Sequence, residues 1–152
     1  MKRYAEQTQV SSEKSRAEIE RTLARYGATG FFYGWDGPNA VLGFQAHARR
    51  VMFLLPMPDR DDPSFVFTAG RKLKRTQTQI DAAYEQAVRQ KWRALALVIK
   101  AKLEAVAAGI TEFEDEFLAH IVLPGGRTVG AWLRPQLEVA YTTGKMPPML
   151  PG

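Results

Sequence analysis

The segment Gly70-Arg71-Lys72-Leu73-Lys74-Arg75 carries four cations within five positions. Lysine and arginine neutralise phosphates whatever the base sequence and release condensed counterions, so such a run can grip a phosphate backbone without reading bases. A plain solvated loop and a dock for an acidic protein are the other uses of the same composition. Further along, Arg89, Arg93 and Lys100 fall within about 40° of one another on a helix turning 100° per residue, which would extend the patch along one polar face. Surface pairing is the opposing reading there, because Glu85 stands four residues before Arg89 and Glu104 four after Lys100. Such pairs contribute only about 0.3–0.5 kcal/mol and would not keep a phosphate away.

Aromatic residues offer a second kind of contact. Phe31, Tyr33 and Trp35 recur at period two, the pattern by which sheets in single-strand binders present rings to unpaired bases. The same pattern is a core strand, and Phe32, Phe44 and Phe53 fit it equally well. Trp35, beside the Asp36-Gly37-Pro38 turn, is the ring expected to reach solvent. The expected nucleic-acid site is therefore Arg71, Lys72, Lys74, Arg75, Arg89, Arg93, Lys100 and Trp35. Lys91 and Lys102 stand apart: eleven residues is about three helical turns, so they share the edge of an apolar stripe. They either snorkel along it or pair with the acidic run Glu112 to Glu116.

Catalytic and metal chemistry find little support. Asp59, Asp61 and Asp62 lie in a proline-rich loop without the glycine and distal glutamate of a calcium loop. Glu112, Glu114, Asp115 and Glu116 open a helix, where the dipole favours negative charge. The chain has no cysteine and two histidines, His47 and His120. Thiolate nucleophiles, disulfides and cysteine metal centres are thereby excluded. No P-loop, nucleophile elbow, His-Glu-Xaa-Xaa-His or dinucleotide fingerprint occurs. The expectation is a noncatalytic protein with no cofactor and no metal.

The net charge of +5 is unevenly spread. Residues 69–102 hold nine basic and two acidic side chains, whereas residues 103–152 hold three basic and six acidic ones. A concentrated positive region is the electrostatic footprint of a nucleic-acid binder. An internal acidic partner segment would call for the same asymmetry. No apolar run approaches the ~20 residues of a membrane span. Met1-Lys2-Arg3-Tyr4 is basic with no apolar stretch behind it, unlike a secretory signal, so a cytoplasmic location is expected.

These residues need elements to position them. A first helix is expected over 11–26, with Ser11 or Ser12 as cap, Ser15 and Glu18 at capping-box spacing, and Gly27 as stop. Three short strands follow, at 30–35, 40–46 and 50–55, and their short connections make an antiparallel meander. Phe65 to Thr68 is a candidate fourth, edge strand. Pro56 to Pro63 is a loop, and 69–75 reads as mobile. Thr76, with Gln79 as its capping-box partner, opens a long spine helix ending at Gly109. Tyr84, Val88, Trp92, Leu95, Ile99, Leu103 and Val106 line one face of it. Thr111, paired with Glu114, restarts a short helix, and Thr128 caps a last one containing Pro135.

The fold class expected is thus α+β: an N-terminal helix, a three- or four-stranded meander, a long spine helix and two shorter C-terminal helices. A single domain spans 1–152, comprising helix and meander (1–68), basic loop (69–75), helical part (76–143) and extended tail (144–152).

Ser15-Arg16-Ala17-Glu18-Ile19-Glu20 through Tyr26-Gly27-Ala28, with Tyr33-Gly34-Trp35, resembles the N-terminal part of small uncharacterised accessory proteins of tailed phages and prophages. Trp92-Arg93-Ala94-Leu95 through Val98 to Ala105, then Phe117 to Pro124, is similar to their C-terminal part. Relatives have Asp-Gly where Gly125-Gly126 stands, an equally turn-compatible pair. The resemblance implies an accessory role in DNA metabolism or in interference with a host protein, and assigns no residue a role. The expected function is nucleic-acid binding, DNA rather than RNA, through the basic loop and helix face. The alternative is a protein-interaction module, self-associating or not, using Leu97 and the apolar C-terminal tail. No membrane partner is expected.

Overall fold

Three strands form the centre of the molecule: β1 (Thr29–Asp36), β2 (Asn39–Ala46) and β3 (Arg49–Pro56), antiparallel in the order β1-β2-β3. The computed structural model describes the backbone of residues 2–146 and the side chains of residues 13–146. Helix α1 (Lys2–Arg25) precedes the sheet; after it come the single turn α2 (Pro63–Val66), the long helix α3 (Gln77–Ala107), the short helix α4 (Phe113–Glu116), a 3-10 turn (Leu118–His120) and α5 (Val129–Thr143). This is the expected α+β fold.

Register decides which side of the sheet is the core. Tyr33 pairs with Leu42 and Leu42 with Phe53, while Phe44 pairs with Val51. Side chains alternate across a strand, so Leu42, Phe44, Val51 and Phe53 share one face. That face packs in one cluster with Ile19 and Leu23 of α1 and with Val88, Trp92, Leu95, Ile99 and Leu103 of α3. Phe113 and Phe117 close the far end of the cluster, with Phe117 edge-on to Phe44 at 5.9 Å and to Phe53 at 6.3 Å. On the opposite face Phe32 lies over Gly43, so closely that a Cβ on Gly43 would sit 2.0 Å from the Phe32 ring. Only glycine leaves room for that cross-strand contact.

Where elements differ from expectation, local chemistry explains it. The first helix starts at Lys2 rather than near Ser11. Residues 2–10 contain neither Pro nor Gly and several good helix formers, so the helix runs through the serines. Phe65 and Val66 of the candidate fourth strand lie instead in α2, because Pro63 suits the first helical turn and the Asp62 side chain accepts the Ser64 N–H at 2.8 Å, and Phe67 keeps only an isolated antiparallel bridge to Lys74. Hydrogen bonding from the Ser64 side chain, and then from its backbone N–H, holds the Asp62 carboxyl below its ordinary pKa. The spine helix has its expected ends. The Gln79 N–H donates to Thr76 Oγ1 at 3.3 Å and the Thr76 N–H to Gln79 Oε1 at 2.9 Å. Gly109 follows the helix at φ 74°, the left-handed position glycine takes most easily. For α4 the cap is Glu112 with no side-chain bond, so the Thr111–Glu114 capping box does not form.

The 3-10 turn leads into a strap along the outer edge of β3, where the Val122 N–H donates to the Arg50 carbonyl at 2.8 Å. Gly125 and Gly126 turn the chain, and Thr128 caps α5 through the Ala131 N–H at 3.1 Å. Pro135 has no N–H to offer the Ala131 carbonyl, which instead accepts from Arg127 Nη2 at 3.3 Å. Residues 147–152 of the expected extended tail lie outside the described residues.

Candidate nucleic-acid interface

The connection from β3 to α3 is pinned to the first turns of α3. Arg60 pairs with Asp81 and lies over the Tyr84 ring, 5.6 Å from its centroid, while Phe65 meets the same ring edge-on at 5.8 Å. From this anchor the basic segment forms a closed hairpin. The Thr68 N–H donates to the Leu73 carbonyl at 2.8 Å, the Arg75 N–H to the Val66 carbonyl at 2.7 Å, and the Leu73 N–H to Thr68 Oγ1 at 3.0 Å. The irregular segment expected here is therefore a turn closed by main-chain bonds. Apolar periodicity could not reveal this hairpin, because main-chain groups close it rather than packed side chains.

At the tip Lys72 takes φ 53°, a left-handed conformation that costs an L-residue about 1–2 kcal/mol. Arg71, Lys72 and Lys74 are exposed, and none has an ion-pair partner among the described residues. Arg75 differs: it is half-buried, and its Nη1 reaches the Ser64 carbonyl at 3.5 Å. The hairpin adjoins the N-terminus of α3, whose dipole adds partial positive charge.

On α3 the predicted cations are not equivalent. Arg89 Nη1 is engaged by Glu85 at 2.9 Å, the surface pair the spacing allowed. Arg93 and Lys100 are exposed without an ion pair among the described residues, and Glu104 does not take up Lys100. With 1.5 Å of rise per residue, Arg89, Arg93 and Lys100 lie about 20, 26 and 36 Å along the axis from Thr76. The cations thus form a line running away from the hairpin, not a single cluster.

Of the three period-two aromatics, only Trp35 is open. Phe31 is half-buried against the core, and Tyr33 sits 5.3 Å from Trp92 with the Arg16 guanidinium 3.9 Å above its ring. Burial pushes the Tyr33 hydroxyl pKa up, against the opposing pull of Arg16. Trp35 is 60% exposed and touches Tyr33 edge-on at 6.2 Å. Among the described residues it makes no ring or charge contact with the hairpin or the α3 cations.

The acidic run lies at the other end of the spine. Lys102 Nζ donates to the Glu116 carbonyl at 3.1 Å and to its Oε1 at 3.2 Å, and Arg49 meets Glu114 at 3.4 Å. Lys102 is about 39 Å along α3 from Thr76, far beyond ion-pair reach of the hairpin. Lys102 therefore fulfils the sharper of its two readings, holding the short helix to the spine. Lys91 is exposed and does not join it.

Sequence reading missed a feature at that same end. The β2–β3 connection puts His47 at φ 52° and Ala48 at φ 60°, with the His47 ring stacked 4.4 Å from Phe113. Two-residue hairpins demand such angles and usually supply Asn-Gly; the only signal was the brevity of the connection. His120 stacks on Phe53 at 4.1 Å. Burial, aided by nearby Lys102, holds its pKa below the ordinary histidine value against an opposing bond to the Met52 backbone. Among the described residues no group of three or more His, Cys, Asp or Glu side chains is arranged to hold a metal ion. No helix of the described residues is long and apolar enough to cross a membrane. The chain matches no protein-family model, no curated protein and no solved structure.

Proposed function

We propose that the protein is a noncatalytic accessory protein of phage or prophage type that binds nucleic acid by its phosphates, DNA in preference to RNA. The observation that carries this reading is that Arg71, Lys72 and Lys74 have no acidic partner among the described residues, while Glu114 and Glu116 of the acidic run pair with Arg49 and Lys102. An internal role for the basic hairpin would require the reverse. A strained, backbone-closed tip holding free cations is also a common property of ligand-contacting segments. Arg93 and Lys100 continue the phosphate track along α3, with Arg75 and Arg89 as secondary contacts and Trp35 as a stacking residue.

The test is titration of the whole protein into labelled duplex DNA, single-stranded DNA and RNA at low salt, read by fluorescence anisotropy. Binding in the micromolar range with a steep salt dependence is expected, duplex DNA being tightest. No binding to any of the three at tens of micromolar protein refutes the proposal.

The alternative, a protein-interaction module, draws on exposed apolar residues: Leu97 is 63% and Met146 84% exposed. Isolated apolar side chains on a surface are ordinary, and only a contiguous patch argues for a partner. Capture of a partner by the wild-type chain but not by Leu97→Asp would favour it.

A further inference from the structure

Helix α5 has no buried residue, although it is rich in large apolar side chains. At 100° per residue, Val129, Ala140, Leu133, Leu137 and Tyr141 sweep an uninterrupted apolar arc of about 120°, which Gln136 and Thr143 separate from Trp132 and Val139. The 3-10 turn, where Gly130 comes close under the Ala119 carbonyl, is its principal packing partner. Beyond that contact the helix carries Leu137 at 49% and Tyr141 at 87% exposure. An apolar stripe of that width ordinarily faces a packing partner, and here its Leu137–Tyr141 edge has none among the described residues.

Charge indicates what covers it. Arg134 and Glu138 border the Leu133–Leu137–Tyr141 stripe on the same flank, one turn apart. Neither forms an ion pair among the described residues. In an antiparallel pair of identical helices like flanks face each other, and residues whose numbers sum to a constant stand opposite. With the axis near Leu137, Leu137 meets its own copy, Leu133 meets Tyr141, and Arg134 comes within reach of Glu138 on the other chain, twice.

We infer that α5 is a self-association helix: it pairs antiparallel with α5 of a second copy across a twofold axis near Leu137. Four turns of helix bury less than the roughly 800 Å² per partner of a standard interface, so the dimer is weak, on the order of micromolar. This inference does not rest on nucleic-acid binding.

Sedimentation velocity on the full chain from about 1 μM to about 1 mM tests it. The wild type shifts from monomer to dimer across that range. Arg134→Glu alone places like charges opposite each other at both ends of the stripe, and Glu138→Arg alone does the same with opposite sign. Each weakens association tenfold or more. An equimolar mixture of the two variants restores opposite charges at both contacts, so it associates at least as well as the wild type. Because the mixture contains no new sequence, its recovery distinguishes a contact between chains from a folding defect in either variant. A wild type that remains monomeric at about 1 mM overturns the inference, leaving the stripe to a different partner. So does a dimer unaffected by either substitution, or a mixture that fails to recover.

Discussion

Removing the three free cations of the hairpin, in the variant Arg71→Ala, Lys72→Ala, Lys74→Ala, isolates the phosphate-binding argument from everything else in the molecule. Arg75 is left in place because its guanidinium reaches the Ser64 carbonyl. The proposed phosphate track holds six cations outside ion pairs among the described residues, Arg71, Lys72, Lys74, Arg75, Arg93 and Lys100. At about 0.9 per duplex phosphate, six contacts give a log–log salt slope of about −5.4, and the variant about −2.7. Between 50 and 200 mM salt the wild type then loses about 2,000-fold in affinity and the variant only about 40-fold. Anisotropy titrations at four salt concentrations measure both slopes. Stability should not move, because the hairpin is closed by backbone groups and surface substitutions of this kind stay within about ±0.5 kcal/mol each. An unchanged slope in a folded variant would falsify the assignment of these residues to phosphates. A fall in melting temperature of many degrees would instead make the hairpin internal architecture.

Three further outcomes follow from contacts elsewhere. His120 is held neutral by burial and by Lys102, so its contribution to stability is full above the unfolded-state pKa near 6.5 and is lost as pH falls below it through the lower folded value. Chemical denaturation between pH 7.5 and 5.5 should show that loss in the wild type and not in His120→Gln; parallel curves would refute it. Gly43→Ala should cost about 1–3 kcal/mol by driving Phe32 off the sheet, and less in a Phe32→Ala background; strict additivity in the double-mutant cycle would show that the two do not meet. Arg127→Ala should destabilise by about 1 kcal/mol by leaving the carbonyl opposite Pro135 without its donor, and the loss should vanish when Pro135→Ala restores the helix bond.

The parts of the fold legible in the sequence were those where one residue type serves one local purpose. Thr76 and Gln79 announce a capping box, and the stripe from Val88 to Leu103 announces a buried face. The rest was hidden for identifiable reasons. The basic hairpin is closed by the main chain of Val66, Thr68, Leu73 and Arg75, which leaves no apolar period to read. Phe65 to Thr68 has the composition of a strand, yet Asp62 and Pro63 just before it set a helical turn. His47-Ala48 takes turn angles without Asn or Gly to advertise them, with the stacked Phe113 ring as local support. For the site, the exposure of Arg71, Lys72 and Lys74 could be read from their charge, whereas the freedom of Lys100 and the capture of Arg89 could not. Both have a glutamate four residues away, and only the three-dimensional arrangement separates them.

The two functional readings separate most sharply at Leu97. It lies four residues after Arg93 and three before Lys100, on the face of α3 opposite the buried Trp92, Leu95 and Ile99. Because core and surface occupy opposite sides of one helix, Leu97 can change charge without disturbing the packing, and leucine and lysine have similar helix propensities. If nucleic acid lies along this face, Leu97→Lys adds a phosphate contact and steepens the salt slope by about 0.9, while Leu97→Glu introduces a repulsion and weakens binding. If the face docks an apolar protein surface, lysine and glutamate weaken partner capture alike, because each places a charge where Leu97 is to be desolvated. The expected result is opposite effects of the two substitutions on duplex binding at 50 mM salt, with unchanged melting temperatures. Equal weakening by both would remove this face from the phosphate track and leave the hairpin alone to carry it.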